Sequence, residues 1–143
     1  MSSCFDQGDC VFTNSNVVRF DFVNIRKPST LIPVVVDSII TPLDDATILY
    51  KDSVVTASAT YLVSLDPTKN ETEFIFYWGN RVDTLVLTYT YQSKVLGPDC
   101  GTLPFYNDLS IKYNTFNTVL IPNPEVRVNF ATKLPNQNVQ ILL

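Results

Sequence analysis

Apolar and polar residues alternate with a period of two along much of this chain, the pattern of strands with one face buried. Val18, Phe20 and Phe22 fall on one face, with Arg19 and Asp21 on the other. Phe74, Phe76 and Trp78 oppose Glu73, and Leu85, Leu87, Tyr89 and Tyr91 oppose Thr84, Thr88 and Thr90. The same spacing separates Leu109, Ile111 and Tyr113 from Asp108, Ser110 and Lys112. It returns with Val126, Val128 and Phe130 against Glu125, Arg127 and Asn129. Less regular strand-favouring stretches run over 33–40, 47–50 and 60–65.

Turn residues separate these segments. Asp66-Pro67-Thr68-Lys69-Asn70 reads as a loop, and Gly79-Asn80 has the spacing of a tight hairpin. Gly97-Pro98-Asp99 and Ile121-Pro122-Asn123-Pro124 mark two further reversals. No window carries helical spacing. The pattern predicts an all-β fold, an antiparallel β-sandwich of immunoglobulin-like or related Greek-key topology. Residues 16–143 form its single domain, and 1–15 a tether ahead of it. The final stretch, 134–143, reads as a terminal edge strand, with a disordered end as the alternative.

With 143 residues the chain is about one domain long and can bury a proper core. Its apolar fraction of 45% excludes a disordered chain, and no apolar run approaches a membrane span. A net charge of −4, with the cations scattered, argues against nucleic-acid binding. Histidine is absent, which removes Ser-His-Asp and Cys-His hydrolases and imidazole-bound zinc.

The remaining candidate chemistry is sparse. Asp44, Asp45 and Asp52 are the best group of hard oxygen donors, but their spacing is unlike a calcium loop and reads as solvated surface. Fourteen acids allow a two-carboxylate glycosidase without singling out a pair. Four scattered glycines form no phosphate loop. Among the aromatics Trp78, Tyr89, Tyr91, Tyr106 and Tyr113 read first as packing. Tyr77 differs, because alternation places it opposite Phe76 and Trp78 and so makes it the candidate ligand contact. No catalytic residue, metal or cofactor is expected.

Cys4, Cys10 and Cys100 make an odd count, which in an exported protein leaves one thiol to be explained. Met1-Ser2-Ser3-Cys4 looks like a bacterial lipobox cut just before its lipidated cysteine, with Met1 in place of the apolar leader. On this reading Cys4 carries the lipid and Cys10 pairs with Cys100. That bridge would close about ninety residues, for roughly 4–5 kcal/mol in the chain-entropy picture. Three free thiols in a cytosolic protein, or a Cys4–Cys10 pair, are the alternatives.

From Leu62 to Gly101 the chain resembles an uncharacterised family of Bacteroidota cell-envelope lipoproteins. Ser64-Leu65-Asp66-Pro67, Glu73-Phe74-Ile75-Phe76, Asp83-Thr84-Leu85 with Tyr89, and Asp99-Cys100-Gly101 carry the resemblance, together with the Cys4 to Cys10 opening. It implies an outer-membrane protein held by an N-terminal lipid, facing the periplasm or the cell surface. It brings no activity with it. The expectation is a non-enzymatic binding or assembly role towards an envelope protein or glycan. A carboxylate-dependent hydrolase of an envelope glycan and a purely structural domain are the alternatives.

Overall fold

β-branched and aromatic residues become strands where one face finds apolar partners, and here two sheets supply them to each other. The computed structural model describes residues 14–41, 47–51, 57–95, 101–129 and 131–143, with backbone alone at 47–51. The strands are β1 (Val17–Val23), β2 (Ser38–Thr41), β3 (Thr47–Lys51), β4 (Thr60–Ser64) and β5 (Glu71–Trp78). They continue with β6 (Arg81–Val95), β7 (Thr102–Asn114), β8 (Thr118–Leu120) and β9 (Val139–Leu142). One sheet has the order β4-β1-β9-β8 and the other β3-β2-β5-β6-β7. The expected all-β sandwich is therefore the fold. β4 lies beside β1 and β5 beside β2, so the β1–β2, β3–β4, β4–β5 and β7–β8 connections pass between sheets, while β2–β3, β5–β6, β6–β7 and β8–β9 join antiparallel neighbours.

Aromatic side chains lock the sheets together. Phe20 of β1 meets Phe74 and Phe76 of β5 edge to face, with ring centres 5.2 and 5.4 Å apart. Phe22 packs on Tyr61 and Trp78 at 5.9 and 5.5 Å. Phe116, between β7 and β8, closes that end against Phe76 at 5.3 Å and Trp78 at 6.1 Å. Such geometries add about 0.5–1.5 kcal/mol per pair beyond area burial.

Two buried carboxylates are each fully engaged. Asp21, on the outer face of β1, accepts from Arg19 Nε at 3.0 Å, Thr60 Oγ1 at 2.7 Å and Gln137 Nε2 at 2.7 Å. It thereby joins β1, β4 and the approach to β9. Asp83, at the start of β6, accepts from Trp78 Nε1 at 2.8 Å and Thr115 Oγ1 at 2.7 Å, while Arg81 lies 3.2 Å from it and over the indole. Burying a charge is tolerated because such donors satisfy it.

The structure corrects several sequence readings. The stretch 126–129 forms isolated bridges and no strand: Val126 pairs with Tyr106 and Val128 with Pro135. Its buried Val126 covers the free edge of β7, which imposes the same alternation that a ladder would. Phe130 lies outside the described residues. Of the 33–40 stretch only 38–40 are strand, within β2 (Ser38–Thr41), while Val34 instead bridges Ser58. The tail contains β9, but not at an edge. β9 pairs parallel to β1 and antiparallel to β8, the single departure from antiparallel pairing among these strands. Val139, Ile141 and Leu142 are all buried, which fits an interior strand.

The hairpin at Gly79-Asn80 is as expected. Trp78 pairs with Arg81 across it, and the positive φ of 59° at Gly79 suits the first position of a type II′ turn. Of the tether, only Asn14 and Ser15 are described, and Asn14 bridges Arg127. Cys4, Cys10, Cys100, Asp44, Asp45 and Asp52 lie outside the described residues.

The aromatic lock should dominate stability. Phe76→Ala is expected to cost about 3–5 kcal/mol, and Val82→Ala on the exposed outer face less than about 0.5 kcal/mol. Urea denaturation of both variants checks this, and comparable losses would contradict it.

Candidate functional site

The loop between β4 and β5 carries the chain from one sheet to the other, and a closed ring of hydrogen bonds fixes its start. Asp66 N–H donates to Thr72 Oγ1 at 2.9 Å, and Tyr89 O–H donates to the Asp66 carbonyl at 2.7 Å. The Thr72 and Tyr89 hydroxyls are 2.7 Å apart. Because the tyrosine proton is committed to Asp66, the threonine must donate to the tyrosine. Pro67 follows, and the Asp66 carboxylate accepts from Thr68 N–H at 2.9 Å and Thr68 Oγ1 at 2.6 Å. These bonds from Thr68, side chain before backbone, hold the Asp66 pKa below its ordinary value. Burial pushes the Tyr89 hydroxyl up to about 12.

Beside this loop lies an open groove of about 920 Å³, lined by Asp66–Glu73, Thr41 and Tyr91. Among the described residues it presents three carboxylates, of Asp66, Glu71 and Glu73, against one ammonium, of Lys69. Glu71 also pairs with Lys112 of β7 at 2.8 Å, an exposed contact of small energetic weight. Among the described residues no three potential metal-ligating side chains cluster.

One wall of the groove belongs to a strand that outruns its neighbour. β5 begins at Glu71, opposite Thr88 of β6, whereas β6 continues to Val95. Beyond Thr88 it is paired on one side by β7, from Thr90↔Asn107 to Val95↔Thr102. The ladder slips by one residue where this overhang begins. Asp108 has a φ of 58° there, and its carboxylate accepts from Thr90 Oγ1 at 2.9 Å. Such a bulge increases local twist and re-aims the strands beyond it.

On the other side, Tyr89 N–H donates to Asn70 O at 3.0 Å, the last backbone bond towards β5. Peptide groups alternate in direction along a strand. Those of Tyr91, Ser93 and Val95 therefore point away from β7, and no described strand pairs with them. Tyr91 is 55% and Val95 74% exposed.

Tyr77, the ligand contact expected from sequence, is 37% exposed on the outer face of β5 and does not line the groove. Tyr89 and Tyr106 are buried, as expected of packing residues, while Tyr113 is exposed. Tyr91 shares the inward face of Leu87 and Tyr89 but lies past the core, so alternation alone assigned it to packing. Strand length carried the missed signal. Counting from the Gly79-Asn80 turn, the first arm ends at the Asp66–Asn70 loop while the second runs several residues further.

A scan against protein-family profiles, a search of curated proteins and a search of solved structures each find no match to this chain. The groove must therefore be read from its own chemistry.

Tyr89→Phe breaks the ring and leaves the Asp66 carbonyl without its donor, at an expected cost of about 1–3 kcal/mol. The folded pKa of Tyr89 lies above the ordinary 10. Its contribution is thus complete below pH 10 and is lost as pH rises through about 12. Urea midpoints measured upwards from pH 8 should fall less steeply in Tyr89→Phe than in the parent, and parallel curves would count against this role.

Proposed function

We propose that this chain is a non-catalytic binding or assembly domain of the bacterial cell envelope, held at the outer membrane by a lipid on Cys4. The Cys10–Cys100 bridge belongs to the same reading, joining the tether to the end of the domain where β7 starts. The observation that carries the binding role is the edge of β6, open among the described residues, beside the acidic groove. Sheet edges bind extended partners through main-chain hydrogen bonds, and neighbouring side chains select among them.

The hydrolase alternative receives no comparable support. A carboxylate serving as general acid needs a raised pKa, and Asp66 moves the other way because Thr68 stabilises its ionised form. A purely structural domain gives no reason for an unpaired edge and a groove at one place.

Three experiments test the reading. Cys4→Ser is expected to abolish incorporation of labelled fatty acid in cells, while unreduced mass mapping shows Cys10 joined to Cys100. A labelled Cys4→Ser chain, or an unlinked Cys100 peptide, would remove that part. A photo-crosslinker at Val95 should trap an envelope component that the same group at Tyr77 does not. Trapping at neither position would sink the binding role, and trapping at Tyr77 alone would move it to the outer face.

A further inference from the structure

An uncovered strand edge is a hazard that folded proteins usually guard with proline, a bulge or a charge on the open side. The bulge at Asp108 lies on the β7 side. The stretch Thr90-Tyr91-Gln92-Ser93-Lys94-Val95 contains no proline, and its one charge faces elsewhere: Lys94 Nζ lies 5.0 Å from the centre of the Phe105 ring on β7. The open side presents three peptide groups over about 13 Å of strand. It leaves Tyr91 and Val95 exposed together on the inward-facing side.

The line that a partner strand would follow continues β5 beyond Glu71. On the outer face of that line stand Glu71 and Glu73, and across the groove stands Asp66, held ionised by Thr68. Among the described residues Lys69 is the only cation lining the groove, and Lys112 reaches Glu71 from β7 at 2.8 Å. A strand with valine-like residues on one face would meet Tyr91 and Val95, pairs of the aromatic and β-branched kind that stabilise sheets. Cationic residues on its other face would meet the carboxylates. A second copy of this chain fits the charge poorly, since it brings another net charge of −4 and another acidic groove.

Resting on the binding reading above, we propose that the partner is an extended cationic peptide segment of another protein, added as a strand to the Tyr91–Val95 edge of β6.

The test uses the whole chain and two capped eight-residue probes, one alternating valine with lysine and the other valine with glutamate. The lysine peptide is expected to bind at least tenfold more tightly, with affinity falling as salt rises, and to slow amide exchange at Tyr91, Ser93 and Val95. Ser93→Pro removes a donor pointing away from β7, so the β6–β7 ladder keeps its bonds. It should weaken binding tenfold or more with an unchanged urea midpoint. Glu73→Lys, on a partly exposed site, gives a second reading and should erase the preference between peptides. Equal binding of the two peptides, or Ser93→Pro binding like the parent, would overturn the proposal. So would a dimer in sedimentation that Ser93→Pro dissolves, since a second copy would then be the occupant. Failure of the peptides while the Val95 crosslink persists would discard the cationic strand and keep the binding role.

Discussion

The inter-sheet contact of β1 with β5 is the constraint on which the rest of this fold depends. Phe20 and Phe22 are adjacent inward positions on one strand, and Phe74, Phe76 and Trp78 are successive inward positions on the other. Their edge-to-face and tilted packing sets how far apart the sheets sit and in what register they face. β1 is then an interior strand, paired with β4 on one side and β9 on the other. Asp21 adds a polar tie on the outer face of that strand, reaching residues far apart in sequence. A carboxylate buried there without Arg19, Thr60 and Gln137 would strongly destabilise the fold, so the four side chains are best regarded as one unit.

The central architecture was legible in the chain, and its exceptions have specific causes. β1, β5, β6 and β7 announce themselves because each has one face on the common core, so local alternation reports global burial. At β9 that link fails. Its outward Leu142 is buried like its inward Val139 and Ile141, at a point where Leu143 N–H donates to Val23 O and Ile25 N–H donates to Leu143 O. Nothing local to 139–142 carries that information. The reverse holds at 126–129, where alternation is present without a strand, because a covering segment also has an inside and an outside.

The site was less legible than the fold for a related reason. Alternation identifies the face a residue belongs to, but not whether anything lies opposite that face. Tyr89 and Tyr91 share a face of β6 and both contact Tyr106, with ring centres 5.9 and 5.6 Å away, yet one is buried and the other exposed. The difference lies in β5, which has a partner residue for Thr88 and none for Tyr91. Tyr77 was correctly read as outward-facing, but the groove lies elsewhere.

The groove and the open edge have one origin. The chain comes from β4 in one sheet and must cross the core boundary before it can join β6 in the other. The Asp66–Thr72–Tyr89 ring fixes where that crossing occurs, since it ties the loop to a residue buried on β6 itself. β5 cannot pair with β6 upstream of the crossing, so the peptide groups of Tyr91, Ser93 and Val95, which point away from β7, meet no partner strand among the described residues. The same crossing places Asp66, Glu71 and Glu73 around the vacancy. An edge produced in this way is rigidly positioned, because its backbone continues a core strand and its boundary is held by a buried hydrogen-bonded ring. Preorganisation of that kind lowers the ordering cost of adding a strand, which a mobile loop would have to bear in full at binding.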